Sequence, residues 1–231
     1  ATIIFGLCQN ALYLGLNFVA MQWIEASVAA IIASTLPLLV AAAGWMFLGD
    51  RLKPVAVVGL FAGFAGVILI MGARWGGGLD PLGVAFCVAA AVALTVATLA
   101  LRGASSGGNV MMVVGLQMLV GAAILVVPAL ALEEPVVNWS LQLVLAFAYT
   151  TLVPGLAATW VWFRLVQRIG AVRGATFHFL NPFFGVAIAA LLLGEALGPM
   201  DLIGVVIIMA GILAVQLTKA PPLPGPARSA P

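Results

Sequence analysis

The sequence predicts an all-α integral membrane bundle, and three observations carry that prediction. Of 231 residues, 65% are apolar and only 7% are charged, against about 25% charged in an ordinary soluble domain. The apolar runs, as over 85–101 and 202–217, do not alternate with polar residues, which excludes the period-two pattern of a membrane β-barrel. Gly, Pro and charge cut the chain into segments near the ~20 residues a spanning helix needs. A water-soluble fold cannot bury so much apolar surface. Soluble enzymes and nucleic-acid binders are therefore excluded, and the lipid bilayer is an expected partner.

Eight spans follow in order. The first, 2–21, carries Asn10, Tyr13 and Asn17 at i, i+3 and i+7, hence on one face. The second, 26–48, has Pro37 near its middle. The third, 54–72, opens on Pro54, where a missing N–H costs nothing, and presents the small residues Gly59, Gly63 and Gly66 for close helix packing. The fourth, 81–101, is uninterrupted, and the fifth, 110–132, holds the polar Gln117. The sixth, 140–167, is long, and Pro154 is expected to kink it. The seventh, 171–193, has Pro182 near its middle, and the eighth, 199–218, opens on Pro199. The Pro-rich tail 219–231 is predicted to be disordered. Cys8 and Cys87 lie inside apolar runs and read as buried thiols rather than a disulfide or a metal pair.

Charge gives the orientation. Alternating the loops places Arg51, Lys53, Arg102, Arg164, Arg168, Arg173, Lys219 and Arg228 on one side and Arg74 alone on the other. The positive-inside rule makes the first side cytoplasmic, together with the C-terminus. Glu25, Asp80, Glu133, Glu134, Glu195 and Asp201 fall outside, with Asp50 inside.

The chain repeats itself. At an offset of 145 residues, Phe18, Gln22, Pro37, Leu48, Gly49, Pro54, Gly59 and Gly66 meet Phe163, Gln167, Pro182, Leu193, Gly194, Pro199, Gly204 and Gly211. Over 18–70 there are 14 identities in 53 positions, where chance in this composition gives roughly a tenth. The offset carries the first three spans onto the last three. Five spans separate each pair, so the halves are inverted across the bilayer, a hallmark of secondary transporters. A duplicated scaffold that transports nothing is the other reading of the same symmetry. The second half, 81–218, has five spans, but the first, 1–72, has three, with 73–80 as the connecting loop. The chain also begins without Met, which fits either a cleaved signal peptide or a truncation. The repeat favours truncation of a ten-helix protein lacking its first two helices.

The doubled motif resembles the EamA-type domain of the drug/metabolite transporter superfamily. It reads Pro37, then Leu48-Gly49-Asp50-Arg51-Leu52, Pro54, Gly59 and Gly66, and again Pro182, then Leu193-Gly194-Glu195-Ala196-Leu197, Pro199, Gly204 and Gly211. The family has Glu after that glycine, so Asp50 is a mild departure. The resemblance implies an inner-membrane carrier with both termini cytoplasmic that exports or exchanges small metabolites, often amino acids or related compounds.

Candidate site residues are those whose polarity is costly in a span. His178, the only histidine, lies four residues before Pro182. It suits either proton coupling or a neutral hydrogen bond between helices. Asn181 is similarly placed, and Ser34 and Thr35 occupy the corresponding stretch of the second span, where they can instead bond their own helix. Asn10, Tyr13, Asn17, Gln117, Tyr149 and Trp160 are further candidates for a cavity wall, with Thr159 and Trp162 nearby; the tryptophans also suit an interfacial anchor. Pro37, Pro154 and Pro182 are candidate hinges or static kinks. Asp50 and Glu195 read as structural acids near the next helix's N-terminus. No catalytic residue, metal or cofactor is expected, because phosphate-binding, zinc and dinucleotide motifs are absent from the sequence. The expected partner is a small-molecule substrate, with a homodimer left open. The reading frame upstream of Ala1 should hold about 64 residues with two apolar spans, as the offset requires; sequencing that frame checks it.

Overall fold

A computed structural model describes residues 2–74, 79–100, 110–132, 137–169 and 177–218. The tail read as disordered lies outside them, as do Arg102, Glu133, Glu134, Arg173, Lys219 and Arg228. The described residues form helices joined by turns and loops, without strands. The helices are α1 (2–20), α2 (Ala26–Phe47), α3 (Pro54–Arg74), α4 (Pro81–Ala100), α5 (Val110–Leu132), α6 (141–169), α7 (Phe177–Leu193) and α8 (Pro199–Leu217). Five are long and apolar enough to cross a membrane, namely most of α1 together with α2, α3, α4 and α8. Shorter apolar helices lie within α5, α6 and α7.

The starts and stops have local causes. Pro54, Pro81 and Pro199 open α3, α4 and α8, where the absent N–H is one the helix could not have bonded. The Asp80 carboxylate accepts from the Leu82 N–H at 2.7 Å, and the Ser140 hydroxyl accepts from Leu143 at 3.1 Å, each satisfying an orphan donor. α2 and α7 end on Gly49 and Gly194, with φ of +70° and +71°. Only glycine takes that conformation without strain. At each end the following N–H turns back: Asp50 bonds the Gly44 carbonyl, and Glu195 bonds that of Ala189.

Two spans break where proline was expected to act. α2 consists of Ala26–Ser34 and Leu36–Phe47, joined by a turn at Thr35. Pro37 sits in the first turn of the second piece, not in a continuous bent helix. The described part of α7 starts with a 3₁₀ turn, Phe177–Leu180, and is regular helix from Asn181, with Pro182 next. α6 holds a π-helical stretch, Thr151–Ala157, around Pro154. α1 is also π-helical over Gly6–Tyr13, a wide turn that no sequence feature announced.

Packing has two centres. Ile31, Leu38, Leu60, Ile70, Ile208 and Ile212 form a core shared by α2, α3 and α8. Ala20, Val28, Ile32, Cys87 and Ala91 form a second core between α1, α2 and α4. Both cysteines are buried and free. α5 packs on the π-helical part of α1, and α7 on the first piece of α2. The described side chains of α6 include none that is buried.

The closest approach is between α3 and α8, which run antiparallel. A Cβ at Gly211 would stand 2.5 Å from the Gly59 carbonyl oxygen and 2.7 Å from the Gly63 nitrogen. A Cβ at Gly66 would stand 2.9 Å from the Gly204 oxygen. These neighbours are backbone and cannot swing aside. Lipid offers no hydrophobic drive for helix association, so such close contact is the attraction itself. Gly211→Ala should therefore lower stability by about 1–3 kcal/mol through overpacking. Gly72→Ala, with open space around it, should be neutral or slightly stabilising. Thermal unfolding of the two purified variants in detergent checks the contrast.

Candidate functional site

The sequence-selected residues fall into three groups. On α1, the Asn17 amide donates to the Tyr13 carbonyl at 2.7 Å and accepts from the Cys87 thiol of α4 at 3.2 Å. Asn10 packs its Cβ on Gly121 of α5, and Gly6 approaches the backbone carbonyl of Gln117, whose side chain is buried. This polar face therefore looks into protein, toward α4 and α5. Lipid would have left its amides unpaired.

In the second group, Ser34 and Thr35 are buried beside Pro37. Their hydroxyls donate back to the carbonyls of Ile31 at 2.7 Å and Ile32 at 2.6 Å. The Thr35 N–H bonds the Ile32 carbonyl as well, at 3.1 Å, so the hydroxyls reinforce the end of the first helical piece. The equivalent place in α7 is different. The Asn181 amide nitrogen stands 3.1 Å from His178 Nδ1, with His178 part-buried and Asn181 exposed.

The third group lies on α6. Tyr149 and Trp160 are exposed, and Arg164 sits over the Trp160 ring at 4.8 Å from its centroid. Pro154 is exposed as well. The side chains of Thr159 and Trp162 lie outside the described set.

A charged cluster at one end of the bundle was not among the expected site residues. Arg74, the last residue of α3, reaches Asp201 in the first turn of α8. Its Nε donates to Oδ1 at 2.9 Å and one Nη donates to Oδ2 at 2.8 Å. The other Nη pairs with Glu25, at the N-terminus of α2. Asp201 also accepts from the Gly198 N–H at 2.8 Å, capping its own helix. Glu195, in the loop before α8, accepts from the N–H groups of Ala26 at 2.7 Å and Ser27 at 3.0 Å. The expectation for Glu195 is thus corrected: it caps α2, far away in sequence, and Asp201 serves the helix that follows. Among these groups opens a cavity of about 420 Å³, lined by Glu25, Val28, Arg74, Leu79, Pro199 and Asp201. Arg74 was the single exception to the charge sorting, and that was the available signal.

The motif residues can now be compared with known proteins. The sequence matches the EamA-like transporter family over residues 1–72 and 81–217. The chain belongs to that family. An uncharacterized transporter, YvbV, of Bacillus subtilis is 26% identical over 216 residues, 93% of this chain and 70% of that protein. A probable amino-acid metabolite efflux pump of Salmonella typhimurium is 33% identical over 81 residues, 35% of this chain and 27% of the pump. One protein of known crystal structure shares the fold with a TM-score of 0.65 at 22% identity, over 93% of this chain and 75% of its own. This EamA-like chain is a multi-pass membrane protein of a transporter family, and that points away from an enzyme.

The Glu195 cap bridges elements 168 residues apart. Glu195→Ala should cost about 1 kcal/mol, the usual worth of an N-cap, and Glu195→Gln less, since an amide oxygen still accepts. Melting temperatures of the two purified variants test that order.

Proposed function

We propose that this chain is the larger part of a ten-helix carrier, built from two inverted five-helix halves, that moves small organic metabolites by alternating access. One observation carries the reading. The 145-residue offset equates Gly59 with Gly204 and Gly66 with Gly211. In the fold, Gly59 meets Gly211 and Gly66 meets Gly204. Exchanging the halves maps each contact onto the other, which is the behaviour of a two-fold axis in the membrane plane. The left-handed turns at Gly49 and Gly194 support the same symmetry. So do the helix restarts at Leu36 and Asn181, which the offset also pairs.

The exposed α6 supports two further helices. α1 is covered by α4 and α5. The symmetry sets α6 in the place of α1, and its covering partners would be the helices that the offset puts ahead of Ala1. Charge sorting favours an inner-membrane orientation with the C-terminus cytoplasmic.

α1, α2, α6 and α7 are the proposed cavity helices, with Pro37, Pro154 and Pro182 at their breaks. His178 and Asn181 are the proposed solute-binding pair, and His178 is the proton carrier if transport is proton-coupled. The partial likeness to an amino-acid metabolite efflux pump makes amino acids and their derivatives the first solutes to try, in the direction of export.

The test is transport by the full-length protein in vesicles, against a broad metabolite panel. Solute movement without chemical change supports the reading, and a panel in which nothing moves overturns it. His178→Ala and Asn181→Ala should each cut transport by roughly tenfold or more, the cost of losing a positioned hydrogen bond to a bound polar group. Membrane expression should stay intact. Normal transport in both variants would remove the pair from the site.

A further inference from the structure

An inverted repeat makes the two ends of a carrier nearly equivalent, so any bias between its two states must come from positions where the halves differ. The charged cluster of Arg74 is such a place. The offset pairs Arg74 with Lys219, which keeps the positive charge, but pairs Asp201 with Ala56 and Glu25 with Gly170. Neither Ala nor Gly can take an ion pair. Glu195, by contrast, is paired with Asp50, so the acid after the glycine turn is retained in both halves.

The geometry separates an anchor from an arm. Asp201 is 4% exposed and holds Arg74 through two hydrogen bonds. Both residues sit at one end of the α3–α8 crossing, where backbone contact forbids separation. Arg74 is thereby pre-organised, with one nitrogen free to turn toward α2. Glu25, whose side chain is 49% exposed, takes that nitrogen. An exposed pair of this kind is weak and can open repeatedly, whereas a buried one would lock.

We propose that Glu25 and Arg74 form a latch that closes the outer end of the carrier, with Asp201 as the positioning residue that aims Arg74. The latch ties the N-terminus of α2, which Glu195 also holds through two backbone hydrogen bonds, to the fixed α3–α8 pair. The offset gives the inner end no sequence equivalent of Glu25 and Asp201, so this pair adds its bias toward the state closed outside and open inside. This inference rests on the alternating-access reading above.

Val28 provides the reporter. It lines the cavity one turn beyond Glu25 and is 2% exposed. In a full-length protein with Cys8 and Cys87 replaced by Ala, Val28→Cys is probed in right-side-out vesicles with a membrane-impermeant maleimide. Glu25→Gln should raise the labelling rate about threefold, in keeping with an exposed pair. Asp201→Asn should raise it further by releasing Arg74. Asp80→Asn removes an acid from the same end that caps only α4, and should leave the rate unchanged.

Unchanged labelling in Glu25→Gln, with a lowered melting temperature, would make the pair a static tie and overturn the latch. If that result accompanies normal transport, only the latch falls. If the wild type moves no solute, the carrier reading falls and takes the latch with it, whatever the labelling shows.

Discussion

The backbone contact between α3 and α8 is the constraint on which the rest of the structure depends. It requires glycine at four places on two helices, and it holds in a solvent that gives apolar surfaces no reason to associate. It also fixes register. Gly66 meets Gly204, so Asp201, about one turn before Gly204, comes within reach of the long side chain of Arg74, two turns beyond Gly66. A slip of one helical turn, 5.4 Å, would part the guanidinium from its carboxylate and leave both charges at the edge of the hydrocarbon. The ion pair is therefore a consequence of the crossing. It adds directional specificity to an arrangement that packing has already set.

The described acids at this end answer backbone donors or Arg74. Asp201 serves both, accepting from Gly198 and holding Arg74. Glu195 places its carboxylate where the dipole and the free N–H groups of α2 favour negative charge. Glu195 uses both carboxylate oxygens on backbone N–H groups at the start of α2, so ion coupling through it would disturb that cap. The structural role has the stronger physical support.

Most of the helix plan was legible in the sequence, because spans are written as local composition and their ends as Gly, Pro and charge. The four crossing glycines were legible too, since close packing needs small residues at fixed intervals. What escaped has a common cause. Glu195 and Ala26, or Arg74 and Asp201, lie more than a hundred residues apart, and no periodicity links them. The repeat located Gly49 and Gly194 but could not say which helix the neighbouring acid would reach. The break at Thr35 was also hidden. Pro37 indicated a disturbed helix, but not its separation into two pieces, with the hydroxyls of Ser34 and Thr35 bonding Ile31 and Ile32 at the joint. For α6 the sequence showed polar and aromatic residues but not their partners, since the described part of the fold leaves them exposed.

The two half-breaks divide the chemical labour between the repeats. Both occur at the same register, before Leu36 in α2 and before Asn181 in α7, and proline follows in each. In α2 the polar side chains turn inward and give their hydrogens to the helix itself, leaving a buried, self-satisfied joint that packs against α4 and α7. In α7 the amide of Asn181 stands against the His178 ring and is exposed. A joint whose donors are spent on its own backbone can bend but has little to offer a solute. A joint that keeps an imidazole and an amide at its surface can do both. On the proposed carrier reading, the break in α7, with its amide exposed, is better placed than the break in α2 to meet a solute.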